Sequence, residues 1–190
     1  MTIDIKKQVL TFALISLMAL TRADHFGSPF SLPDASLAVF FLAGLGINSR
    51  WFFALLLVEA GMIDFLAITQ FSVSDYCISS AYAFLIPTYA VMWFAGRYCK
   101  AFELVSFVNS LKIVGLTIVA TTIAFAISNG SFYLLSGRIE AISWTGFVAQ
   151  FAHYFLPYLA SSVGFGFAGL LMIRLFKLLP SEQWTKEEVL

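Results

Sequence analysis

Cys77 stands in the run Ser74-Asp75-Tyr76-Cys77-Ile78, where an apolar stretch begins. A thiol takes up soft or borderline metals as its thiolate, and the positive end of a helix favours that anion. The competing role is a small apolar residue at a helix end, which accounts for roughly four membrane cysteines in five. Asp64 lies in Gly61-Met62-Ile63-Asp64-Phe65, late in another apolar stretch. An ionisable group there is costly, so it marks either a functional site or a buried pair. Tyr82 falls about one turn from Cys77 if both lie on one helix, and its phenol then reaches the same cavity. It could equally be an aromatic of the interfacial belt. His25, in Ala23-Asp24-His25-Phe26-Gly27, is a metal-ligand type that titrates near neutral pH, although a solvated loop histidine is the simpler role. His153, beside Tyr154, is a second histidine candidate, and Arg138 could hold a carboxamide, phosphate or carboxylate, or be solvated.

These residues need a scaffold, and composition says which kind. Of 190 residues, 60% are hydrophobic and only 12% charged, about half the charge of a soluble domain. A membrane-spanning helix needs about 20 mostly apolar residues. Six stretches approach this: Lys7–Thr21, Ala35–Ile47, Trp51–Phe71, Ser79–Arg97, Leu104–Ser128 and Gly146–Lys177. The expected fold is an all-α bundle of six transmembrane helices in one domain, with residues 178–190 as a short cytoplasmic tail. Val9–Thr21 reads as a retained helix, since no small-residue cleavage site follows it. The 21 phenylalanines read as lipid-facing surface and core filling.

Charge orients the bundle, because cytoplasmic loops carry the excess of Lys and Arg. With six spans and the N-terminus inside, Lys6, Lys7, Arg50, Arg97, Lys100, Lys112, Arg174, Lys177 and Lys186 fall on the cytoplasmic side. Arg22 and Arg138 alone fall outside. Both termini are then cytoplasmic. The longer connections Arg22–Asp34, Ser72–Ile78 and Asn129–Thr145 share the external face, so a binding site is expected to open outward. Glu59 and Lys112 each lie about 12 Å into their helices from the inner end, and are expected to pair if those helices are neighbours.

Several function classes drop out. Zero net charge gives no global field for nucleic acid. There is no P-loop, so the chain does not hydrolyse ATP itself, and no His-Glu-x-x-His, Gly-x-Ser-x-Gly or Cys-x-x-Cys. Cys77 and Cys99 are the only cysteines; Cys99 is expected to be inert.

A histidine after the first helix, an aspartate late in the third, a cysteine thirteen residues later and a tyrosine five beyond that resemble the BtuM family. These are small solitary bacterial cobalamin transporters, related to the S components of energy-coupling-factor (ECF) vitamin transporters. The matched positions are His25, Asp64, Cys77 and Tyr82, and the resemblance in topology covers most of the chain. It implies an S-component-like bundle in the bacterial inner membrane that binds cobalamin (vitamin B12) from the periplasm and carries it inward. It implies Cys77 as the cobalt ligand, in place of the dimethylbenzimidazole base. A link to decyanation of cyanocobalamin follows, since thiolate donation favours loss of the opposite ligand. Asp64 and Tyr82 would hold corrin amides or poise the cysteine proton, His25 would line the entrance or contact the corrin, and Arg138 is the loose match to a family arginine. Ordinary S components carry Ala-x-x-x-Ala on the first helix for docking; Thr11–Ala19 lacks that pattern, which fits a transporter needing no shared ATPase module. The alternatives are an S component for a different vitamin working with such a module, and a membrane-bound decyanase.

Overall fold

The computed structural model describes residues 5–22, 33–47, 49–71, 74–102, 106–140 and 142–178. His25 and the tail beyond Leu178 lie outside the described residues. Among those described, six α-helices and no strands occur: α1 (Ile5–Arg22), α2 (Ser36–Gly46), α3 (Arg50–Gln70), α4 (Leu85–Cys99), α5 (Phe107–Leu135) and α6 (Trp144–Leu178). Two short 3-10 turns, Asp75–Cys77 and Ser80–Phe84, precede α4.

Two expected boundaries change. The fifth helix does not stop at Ser128 but continues through Asn129 and Gly130 to Leu135. Isolated Asn or Gly costs a helix only about 1 kcal/mol, and burial of Ser131 and Tyr133 beyond them outweighs it. The helix ends instead where Gly137 adopts a φ of +68°, the left-handed conformation that closes many helices. Before α4, Ile78 and Ser79 are extended, so Cys77 and Tyr82 sit on separate 3-10 turns and not one turn apart on a helix. Pro87 is harmless because it is the third residue of α4, where the N–H has no helical acceptor.

The centre of the bundle is α2, whose residues Ser36 to Leu45 are all buried. It packs against α4 most extensively, and also against α6, α1 and α3. Two glycines make the α2–α4 contact close. A Cβ on Gly44 would strike the Trp93 carbonyl, and one on Gly96 would strike that of Phe41. Each helix thus lays a bare backbone against the other, the close approach that small residues permit. Phe40 of α2 stacks on Tyr89 of α4 with centroids 4.3 Å apart.

The surface is apolar: Leu156, Phe167, Leu171, Met172 and Leu175 of α6 are all exposed. Three helices are long and apolar enough to cross a membrane, namely α3, α5 and the 144–175 stretch of α6. The others fall short of the expected six spans on this measure. The 18 residues of α1 include Lys6, Lys7 and Arg22, α2 has 11 residues, and α4 has 15.

The helices alternate in direction. Lys6 and Lys7 at the start of α1 share one end with Gly46, Lys100 and Ile173. Arg22, Asp34, Tyr82, Asn129 and His153 gather at the other. Glu59 and Lys112 do not pair. Helix α3 packs on α1 and α2, whereas α5 packs on α4 and α6, so the two groups belong to different parts of the bundle. Both Glu59 carboxylate oxygens lack a hydrogen-bond partner among the described residues, and the Lys112 ammonium lies 6.0 Å from the Phe102 ring centroid.

Candidate functional site: a buried arginine cluster under an open cavity

Arg22, the last residue of α1, organises the site. Thr21 beside it accepts a hydrogen bond from the Ala35 backbone N–H at 3.2 Å. That latch sets the start of α2 against the end of α1. Asp34 closes a tight turn there by accepting from the Ser36 N–H at 2.9 Å and the Ser36 hydroxyl at 2.6 Å. Asp34 and Ser36 are thereby held beside the Arg22 guanidinium.

Arg22 is almost wholly buried, at 5% exposure. Its Nε donates to Asp64 Oδ1 at 2.7 Å and its Nη2 to Asp64 Oδ2 at 2.6 Å. This is the bidentate fork that arginine makes with a carboxylate. Its Nη1 donates to Ser36 Oγ at 2.9 Å and to the Tyr89 hydroxyl at 2.7 Å. Asp34 Oδ2 lies 3.5 Å from Nη1. The Tyr82 hydroxyl donates to Asp64 Oδ2 at 2.7 Å. One residue cluster therefore ties together α1, α2, α3, α4 and the turn before α4. Formally it holds one cation and two carboxylates.

Above the cluster opens a cavity of about 630 Å³, in the size range of small-molecule sites. Arg22, Asp34 and Asp64 line it together with Tyr76, Tyr82, Tyr89, Tyr154 and Tyr158. Asn129 and Gln150 add amides, and His153 an imidazole. The Asn129 Oδ1 is buried and without a hydrogen-bond partner among the described residues. Asn129 faces the cavity because α5 continues past the expected break. His153 packs edge-on against Tyr154 at 4.7 Å. Pro157 lies one turn further along α6 and brings no N–H to the His153 carbonyl.

The expected residues fare differently. Asp64 and Tyr82 are brought together on the cavity wall, through a direct hydrogen bond. The backbone of Cys77 follows Tyr76, a lining residue, on the Asp75–Cys77 turn; its side chain lies outside what the structure describes. Arg138 stands off the cavity wall. Its guanidinium lies 5.4 Å from the Tyr76 ring centroid and 4.0 Å from Asp75, with 40% of its side chain exposed. Among the described residues, no three His, Cys, Asp or Glu side chains are grouped to hold a metal.

The cluster's centre was not among the candidates, since Arg22 reads by position as an external loop cation. A signal was present: alternating helices bring the end of the first stretch, the start of the second and the end of the third to one face. Those positions carry Arg22, Asp34 and Asp64, and charges near apolar segments seek partners. No known protein-family model matches this chain, and a search of curated proteins finds no match either.

Proposed function

We propose that this chain is a polytopic membrane protein that binds cobalamin and carries it across the bacterial inner membrane, with Cys77 as the ligand to the cobalt of its cargo. The carrying observation is the Tyr82–Asp64–Arg22 hydrogen-bonded chain on the wall of the cavity. Two of the four positions that resemble the BtuM family meet there, and the Cys77 backbone is next to a third lining residue. In the proposed topology the chain crosses the bilayer six times, with the buried α2 shorter than the membrane core. The five-residue 3-10 turn before α4 adds about 10 Å to about 22 Å of helix, enough for a membrane core of about 30 Å if the two run in line. The lysine end faces the cytoplasm, leaving the Arg22 cavity open to the periplasm and both termini inside. Tyrosine hydroxyls, Asn129 and Gln150 suit the amide-rich edge of a corrin, and the open mouth lets a large macrocycle seat one side in the cavity. Decyanation of a bound cyanocobalamin belongs to this reading as chemistry at the Cys77 thiolate.

The test is purification of the full chain in detergent after growth with cobalamin. A co-purifying red-brown chromophore is expected, and Cys77→Ala removes its thiolate-ligated spectrum. A colourless protein that takes up no added cobalamin overturns the reading.

One observation favours a second reading, an S component for a different vitamin with a shared ATPase module. One cation against two carboxylates, ringed by tyrosines, suits a cationic ring better than an anionic one. Under that reading Cys77→Ala leaves ligand binding unchanged.

A further inference from the structure

The six helices hold only two acids, Asp64 and Glu59, and both stand on α3. Asp64 is held by Arg22 and Tyr82. Glu59 differs: both its carboxylate oxygens are buried and have no hydrogen-bond partner among the described residues. At about 1.5 Å of rise per residue, Glu59 lies about 7.5 Å below Asp64 along α3 and about 14 Å above Arg50. Helix α3 is long and apolar enough to cross a membrane, which puts Glu59 inside that span. The elements packed on α3 bring no counter-charge to this level. Helix α2 has no ionisable residue from Ser36 to Gly46. On α1, which runs parallel to α3, Arg22 is level with Asp64 and bound to it. Lys7 is fifteen residues further in than Arg22, about 22 Å along the axis, with Lys6 beyond it. Helix α4 touches α3 through Trp93 and Phe53. It carries Tyr89 against Arg22, Arg97 over the Trp93 ring, and Tyr98 and Cys99 at its inner end.

An unpaired carboxylate away from water is costly, and the form that survives there is the neutral acid. A purely structural acid is secured by pairing, as Asp64 is. A glutamate kept neutral contributes nothing to packing that a glutamine would not. What it adds is a place for a proton. We propose that Glu59 is a proton-binding site of this chain, holding its proton in the arrangement seen here and releasing it only where water or a cation reaches the carboxylate. The use of that proton rests on the uptake reading above. Without a P-loop the chain does not draw on ATP itself, so the cargo needs another source of energy. One proton passing from the periplasm to the Glu59 carboxylate, and from the carboxyl to the cytoplasm, supplies it with no bond changed in the cargo.

The test has two parts, both on the full chain. Infrared spectra of wild type and Glu59→Gln in detergent near neutral pH are compared. Wild type is expected to show the carbonyl band of a neutral carboxylic acid that the variant lacks. Glutamine matches the neutral acid in shape, so the variant keeps its fold. The second part places each protein in vesicles of phosphatidylethanolamine and phosphatidylglycerol, with cobalamin as the probe. At one proton per cargo, an outside-acid gradient of about one pH unit supports about tenfold accumulation. Glu59→Gln is expected to bind cobalamin as wild type does and to lose the response to the gradient. A wild-type spectrum without the acid band, or a band that survives in Glu59→Gln, overturns the proton site. Uptake indifferent to the gradient, or a response that persists in Glu59→Gln, overturns its use in transport. A chain that binds no cobalamin overturns the uptake reading and the coupling with it, while the infrared band still decides the proton site.

Discussion

The two ends of the bundle treat charge in opposite ways. At one, Arg22 and Asp64 are buried, and every bond between them has fixed geometry. At the other, Lys6, Lys7 and Lys100 are exposed on the margin of an apolar trough. Buried charge must be matched within the fold, because a lone ion out of water costs several kcal/mol. Marginal charge keeps most of its hydration, so the fold depends on it far less. The first arrangement therefore governs whether the helices assemble, and the second contributes little to that assembly.

This contrast is sharpest under mutation. Asp64→Ala should have the largest effect, about 3–5 kcal/mol, since it strands the Arg22 guanidinium inside the bundle. Thermal unfolding in detergent reads it, and a variant as stable as wild type would refute a structural role for the cluster. Gly44→Leu should follow at about 3 kcal/mol, because its side chain must push the Trp93 carbonyl, and with it α4, away from α2. Gly61→Ala is its counterpart: with nothing within 4 Å of the new methyl, it should gain up to about 1 kcal/mol of helix stability. Tyr82→Phe removes one hydrogen bond to Asp64 and should cost about 1–2 kcal/mol; a larger loss of ligand than of stability would assign the hydroxyl to binding. The triple variant K6Q/K7Q/K100Q should cost less than about 1 kcal/mol, the smallest loss of the set, because all three side chains are exposed. A large loss there would erase the distinction between the ends.

Much of the architecture was legible because its signals are local. Apolar stretches gave six helices, and the sorting of lysines to alternate connections agrees with the end that Lys6, Lys7 and Lys100 share. What escaped depends on which helices are neighbours. Asp64 is conspicuous as an acid in an apolar run, but its partner could be identified only by folding α1 against α3. The same gap produced the unmade Glu59–Lys112 pair: equal depth in the bundle says nothing about adjacency. Asn129 was lost for a different reason, because Asn-Gly is a turn signal that burial of Tyr133 overrides. Tyr133 also fixes the turn that follows, accepting from the Ser143 N–H at 3.1 Å and donating to the Ser143 carbonyl at 2.9 Å.

The burial of α2 has one more consequence. In the membrane setting proposed above, a helix sheathed by its neighbours never meets hydrocarbon, so it is exempt from matching its length to the bilayer. Only the lipid-facing helices feel a change in membrane thickness, by tilting or by dimpling the lipid around them. Helix α2 can stay as short as its contacts with α4 require. It then acts as a fixed spindle, and a thicker or thinner membrane would reach the Arg22 cavity through the tilt of the helices around it.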